Sequence, residues 1–199
     1  RAEDQAKAIE LAWANLSHSD RFIRYAARVA LEHQEVKGWR DRVLAEKNPD
    51  ALIAGAVALA RQGDKSDQGP LLAALERISW EQLTETQKLD LLRAWSLAFI
   101  RLGEPTKETA AALVKKLDPS FPAASDTLNR ELCNMLVYLQ SPTIATKTLA
   151  LIQAPAKEPT AAEMAELLAR NPGYGGSIAK MLANQADPQK LHYLFALRN

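Results

Sequence analysis

Cysteine is nearly missing from this sequence: Cys133 is the single one in 199 residues. One thiol excludes an internal disulfide framework, a four-thiolate zinc site and a CxxCH haem attachment. An excess of either charge is also missing, with 25 Lys plus Arg against 24 Asp plus Glu. A net charge of +1 gives no long-range pull toward a polyanion, so nucleic-acid binding as a main role is disfavoured. Long apolar runs are missing too. The longest, Ala51 to Ala60, has ten residues including a glycine, against the roughly twenty of a membrane-spanning helix. The chain opens on Arg1 with no initiator Met and no charged-then-apolar leader, so it reads as an excised or processed piece.

β-branched residues are scarce as well: Val and Ile together number 14, whereas Ala occurs 35 times and Leu 29 times. That ratio is the reverse of what pleated sheet needs and predicts an all-α chain. At 47% apolar and 25% charged residues, the composition suits a folded domain rather than a disordered segment.

Helical periodicity predicts about twelve helices. The first two run from Asp4 to Leu16 and from Ser19 to His33, with Ser17 or Ser19 as cap, and form a hairpin. Val36 to Glu46 and Pro49 to Gln62 form a second, started by Asn48 before Pro49 and stopped by Gly63. Further helices are expected at Asp67 to Ile78, Thr84 to Leu102, Pro105 to Leu117, Ser125 to Gln140 and Pro142 to Gln153. Thr160 to Arg170, Ser177 to Gln185 and Pro188 to Arg198 complete the set. Ala154 to Pro159 and the NPGYGG stretch, Asn171 to Gly176, read as breaks.

The second helix supplies a template that recurs weakly. Asp20, Ile23, Arg24, Ala27 and Ala30 meet Asp50, Ile53, Ala54, Val57 and Ala60 at an offset of 30. At 69 the template meets Leu92, Arg93, Ser96 and Phe99, and at 106 it meets Asp126, Asn129, Arg130, Cys133 and Leu136. Steps of 30, 39 and 37 residues fit a two-helix repeat.

The pattern Asp20-x-x-Ile23-Arg24-x-x-Ala27-x-x-Ala30-Leu31 resembles the second-helix signature of HEAT-type repeats, in which Asp and Arg of successive units stack as a ladder along the inner face. The resemblance implies an α-solenoid of about five to six antiparallel helix pairs, HEAT/armadillo-like, with Arg24, Arg93 and Arg130 as rungs. The second copy carries Ala54 in place of the Arg. The expected organisation is one domain over 1–199, with clearer repeats in 1–153 and a divergent cap or continuation in 154–199.

The stretch His18 to His33, then Trp39-Arg40-Asp41-Arg42 and the closing Asp187 to Asn199, are similar to the HEAT-like region of large multidomain proteins of planctomycete-type bacteria. There the region stands between a sorbosone-dehydrogenase-like propeller and a c-type cytochrome domain. The resemblance implies an exported or periplasmic, redox-active parent, in which this piece holds neither the sugar-oxidising residues nor the haem motif.

Candidate interaction residues follow from the wheel of the second helix. Arg21, Arg24 and Arg28 share one side, with Glu32 placed to pair with Arg28. Phe22, Ile23, Ala26, Val29 and Ala30 are expected to pack on the other. Trp39 and Trp80, near helix starts, are expected to be partly exposed, and Trp39 is a candidate partner anchor. Asp20, Arg93 and Arg130 join the set as ladder positions, although an inter-repeat ladder with a solvated face is the simpler account of such a strip.

No catalytic residue, metal ligand or cofactor is expected. His18, His33 and His192 have no ligand spacing. Cys133 sits on an apolar helix that raises its pKa. Ser177 after Gly-Tyr-Gly-Gly lacks the preceding strand of a nucleophile elbow and reads as a turn and cap. The favoured function is a non-enzymatic protein-interaction or scaffolding module whose partner is a protein or a neighbouring domain. The alternative is a HEAT-like enzyme or binder acting on an anionic or nucleic-acid ligand through Arg21, Arg24, Arg28, Arg40 and Arg42. An oligomerising or electron-transfer adaptor is a third reading.

Overall fold

The structure, a computed structural model, describes residues 2–155, 165–166, 169–170 and 187–198. All secondary structure among them is helical, as the Ala and Leu content requires. The chain divides into two compact units, residues 1–117 and 118–199.

The first unit contains α1 (Ala2–Asn15), α2 (Arg21–Glu32), α3 (Arg40–Ala45), α4 (Pro49–Gln62), α5 (Gln68–Glu76), α6 (Glu85–Leu102) and α7 (Lys107–Leu117). Helix α1 packs on α2, α3 on α4, and α5 on α6; α2 packs in turn on α4, and α4 on α6. Helix α4, which has neighbours on several sides, buries Ala51, Leu52, Ile53, Gly55, Ala56, Ala58, Leu59 and Ala60. Its small residues let flanking helices approach closely: a Cβ added at Gly55 would lie 2.9 Å from Val43 Cγ2.

Capping residues set the starts of these helices. Asn48 accepts a hydrogen bond from Ala51 N at 3.1 Å, with Pro49 in the first turn and Gly63 after the end, as the sequence predicts. Thr84 and Gln87 form a reciprocal capping box for α6. Helix α2 is capped by Asp20, which accepts from Phe22 N at 2.7 Å, rather than by either flanking serine. The helix expected from Val36 to Glu46 is broken into a 3-10 turn, Val36–Gly38, and α3. The break lets Trp39 turn inward, where its Nε1 donates to Gln34 O at 3.2 Å.

Trp39 is 1% exposed and Trp80 2%, so neither is the surface aromatic that its place near a helix start suggested. Trp80 stacks on Trp95 with ring centroids 6.4 Å apart. Each such burial contributes on the order of 2 kcal/mol or more to the unit's core. The outward side of α2 is a second correction. Phe22 is 67% exposed, and Ile23 and Tyr25 are also on the surface; Ala27 and Leu31 are the residues α2 buries.

The second unit contains α8 (Asp126–Tyr138), α9 (Ile144–Gln153) and α10 (Pro188–Leu197), each packed against the other two. Asp118 anchors this cluster, accepting from Ser141 Oγ at 2.8 Å, Thr143 Oγ1 at 2.5 Å and Lys147 Nζ at 2.8 Å. Helix α8 ends in a left-handed turn at Gln140, φ 56°, with Ser141 N donating back to Leu136 O at 2.9 Å. Buried Cys133 lies 3.7 Å from Thr148 Oγ1, and burial pushes its thiol pKa up, as expected. The expected helix Ser177 to Gln185, the NPGYGG break and most of Thr160 to Arg170 lie outside the described residues.

Candidate functional site

Because α2, α4 and α6 are successive neighbours, one stripe of each contributes to a common groove with a volume of about 320 Å³. Helix α2 supplies Arg21, Arg24, Tyr25 and Arg28, and α4 supplies Asp50, Ile53, Ala54, Val57 and Arg61. Helix α6 adds Asp90, Arg93 and Leu97. Each set follows the three-and-four spacing that keeps residues on one helical face. Arg24, Ala54 and Arg93, the positions aligned by the weak sequence template, line the same groove, one from each helix.

The guanidiniums differ in what they already hold. Arg24 donates to His18 O at 2.7 Å and Ser19 O at 2.9 Å, closing the turn between α1 and α2. Arg28 pairs with Glu32 one turn on, and Arg61 of α4 reaches the same carboxylate at 2.9 Å. Burial, then the nearby Arg61, holds the Arg28 pKa below its ordinary value, while Tyr25 opposes this. The Arg28 guanidinium also lies 5.0 Å from the Tyr25 ring centroid. Arg21 rests over the Phe22 ring at 4.7 Å. Neither Arg21 nor Arg93 forms an ion pair with another described residue.

Two carboxylates stand among these five cations. Asp50 accepts from Gln87 Nε2 at 3.0 Å. Loss of hydration raises the Asp90 pKa, Arg24 and Arg93 pull it back, and Asp50 pushes it further up. Asp90 is itself exposed, which limits this effect. The floor between the charges is aliphatic: Ile53, Ala54, Val57 and Leu97.

A larger hollow of about 610 Å³ lies beside the 3-10 turns, but its Arg40, Asp64, Ser66 and Asp67 are already bonded to one another. Asp67, 3% exposed, pairs with Arg40 and accepts from Asp64 N at 3.0 Å; Asp64 accepts from Ser66 N at 2.8 Å. The α2, α4, α6 groove, with cations left unpaired, is the better candidate for a ligand.

The structure thus brings together Arg21, Arg24, Arg28 and Arg93, with Glu32 behind them. It leaves out Arg40 and Arg42, which the sequence grouped with them. Both belong to α3, where Arg42 pairs with Glu10 at 2.6 Å and lies over the Trp13 ring. Asp20 caps α2, and Trp39 is internal. Arg130 belongs to the second unit, where its Nε donates to Gln189 Oε1 at 2.5 Å. Asp–Arg rungs are not formed among the described ladder positions: Arg24 bonds its own turn and Asp50 bonds Gln87.

Sequence reading missed Arg61 and Asp90 as groove residues. The stripe Asp50, Ile53, Val57, Arg61 carried the signal for the first. Asp90 stands three residues before Arg93, whereas Asp20 stands four before Arg24, and that shift hid it from the template.

Among the described residues no group of His, Cys, Asp or Glu is placed to hold a metal ion, and no helix is long and apolar enough to cross a membrane. The chain matches no family model, no curated protein and no solved structure.

Proposed function

We propose that this chain is a non-catalytic protein-interaction module of the HEAT-like α-solenoid kind, presenting the α2, α4, α6 groove to a protein partner. In this reading α1/α2, α3/α4 and α5/α6 are successive pairs. A pair alone cannot cover its apolar stripe, so each is stabilised by the next. The observation that carries the proposal is the convergence of Arg24, Ala54 and Arg93, equivalent positions of three repeats, on one groove. Positions 30 and 39 residues apart in sequence meet on one surface when successive pairs stack in a row. By the planctomycete-type resemblance, the partner is a neighbouring domain of an exported redox protein.

The test pans a random peptide library on the full chain and maps the winners by amide hydrogen exchange. Selected peptides are expected to protect α2, α4 and α6 together. Enrichment of nothing, or of peptides that protect other surfaces only, overturns the reading.

A further inference from the structure

We infer that the groove recognises an extended acidic peptide segment carrying a carboxylate on each side of a small aliphatic residue. This rests on the protein-docking reading and adds the chemistry of the partner. Four lines of observation lead to it.

The first is charge: five guanidiniums line the groove against two carboxylates, and neither Arg21 nor Arg93 is in a salt bridge among the described residues, although Arg93 is near enough to Asp90 to draw its pKa down. The second is their placement, since Arg21 comes from α2 and Arg93 from α6, with the aliphatic floor of α4 between. The third is span. Packed helix axes lie about 8–10 Å apart, so a groove crossing three helices extends about 16–20 Å. That is about five or six residues of extended chain at about 3.3 Å each. In an extended segment alternate side chains face the same way, so two carboxylates and an apolar residue at every second position all enter the groove.

The fourth line separates a peptide from a nucleic acid. Asp50 and Asp90 stand inside the groove and repel an unbroken row of phosphates, while Ile53, Ala54, Val57 and Leu97 offer phosphate nothing. With a chain net charge of +1, no wider field compensates for that repulsion. A segment of mixed acidic and aliphatic residues satisfies both the cations and the floor. Arg28 and Arg61 are already held by Glu32, so Arg21 and Arg93 are the contacts a ligand completes.

The experiment measures fluorescence anisotropy of labelled short peptides with the full chain. One peptide has glutamates two positions either side of a valine. A second has glutamines there, and a third replaces the valine with serine. Duplex DNA and inorganic tripolyphosphate are the other probes. The glutamate-valine peptide is expected to bind at least about tenfold tighter than either altered peptide. The double variant R21A/R93A, which removes no ion pair of the fold, is expected to abolish that preference while its far-UV circular dichroism stays unchanged. Equal binding of glutamate and glutamine peptides overturns the acidic specificity and leaves the docking groove standing. Failure of every peptide to bind removes this inference, while the library experiment still decides the docking reading. Binding of DNA or tripolyphosphate as tight as that of the peptide overturns it in favour of a polyanion site.

Discussion

Arg61 of α4 donates through Nε to the Glu32 carboxylate of α2 at 2.9 Å, so a single nearly buried acid joins two helices and also holds Arg28. Glu32 is 7% exposed at its side chain, Arg28 16% and Arg61 50%. Removing the acid therefore leaves Arg28 charged and poorly hydrated, whereas removing the half-exposed Arg61 leaves Glu32 still paired with Arg28. Glu32→Ala is expected to destabilise the first unit by about 3 kcal/mol, and Arg61→Ala by under about 1 kcal/mol. Urea unfolding followed by tryptophan emission checks both, and equal losses would contradict this account.

Acid is expected to weaken both units through particular carboxylates. Burial raises the Glu46 pKa, but hydrogen bonds from Asn48 N, Lys47 N and Trp13 Nε1 outweigh it, and the group sits below its ordinary value. Asp118 behaves likewise, with burial outweighed by Lys147, Thr143 and Ser141. A carboxyl with a depressed folded pKa binds fewer protons when folded. Its stabilisation is complete above the unfolded carboxylate range, near pH 4, and is lost as pH falls through the folded value. Denaturation midpoints between pH 6 and pH 2 should fall less steeply in Glu46→Gln and Asp118→Asn than in the unaltered protein. An unchanged slope in both would refute the assignment.

Asp67 closes the 3-10 turn before α5 and pairs with Arg40 from a site 3% exposed. Asp67→Ala removes an ion pair and one half of a capping box at once, and should cost about 3 kcal/mol by chemical denaturation. Arg40→Met breaks the same ion pair but leaves Asp67 accepting from Asp64 N, and should cost less than Asp67→Ala in the same measurement.

Gln140 occupies the left-handed position after α8 that glycine tolerates best. Gln140→Gly is expected to raise stability by about 0.5–1 kcal/mol, read as a higher thermal midpoint. Gly63 is the opposite case, since a Cβ there would meet Leu59 O at 2.7 Å. Gly63→Ala must displace backbone and should cost about 1–3 kcal/mol.

How much of this was legible in sequence depends on which physical signal each residue carried. All-helical structure followed from Ala and Leu content, and the ends of α4 followed from Asn48, Pro49 and Gly63, whose effects are local. Arg24 and Arg93 stood at matching positions of the sequence template, and both line the groove. The inward face of α2 did not. Its helix has apolar residues on two sides, and periodicity cannot say whether Phe22 and Ile23 or Ala27 and Leu31 meet α1 and α4. Close approach selected the stripe that includes the small residue, and the bulky pair was left outside. Trp39 and Trp80 were misjudged for a related reason: their nearness to helix starts suggested surface, but bends in the backbone turn both rings inward.

All four tryptophans, Trp13, Trp39, Trp80 and Trp95, belong to residues 1–117, and the lone thiol, Cys133, is buried in the unit that follows. The protein thus comes with a separate built-in reporter in each half. Indole emission watches one half open, and the rate at which a thiol reagent captures Cys133 clocks the opening of the other, so the two can be followed in a single sample without attaching a label.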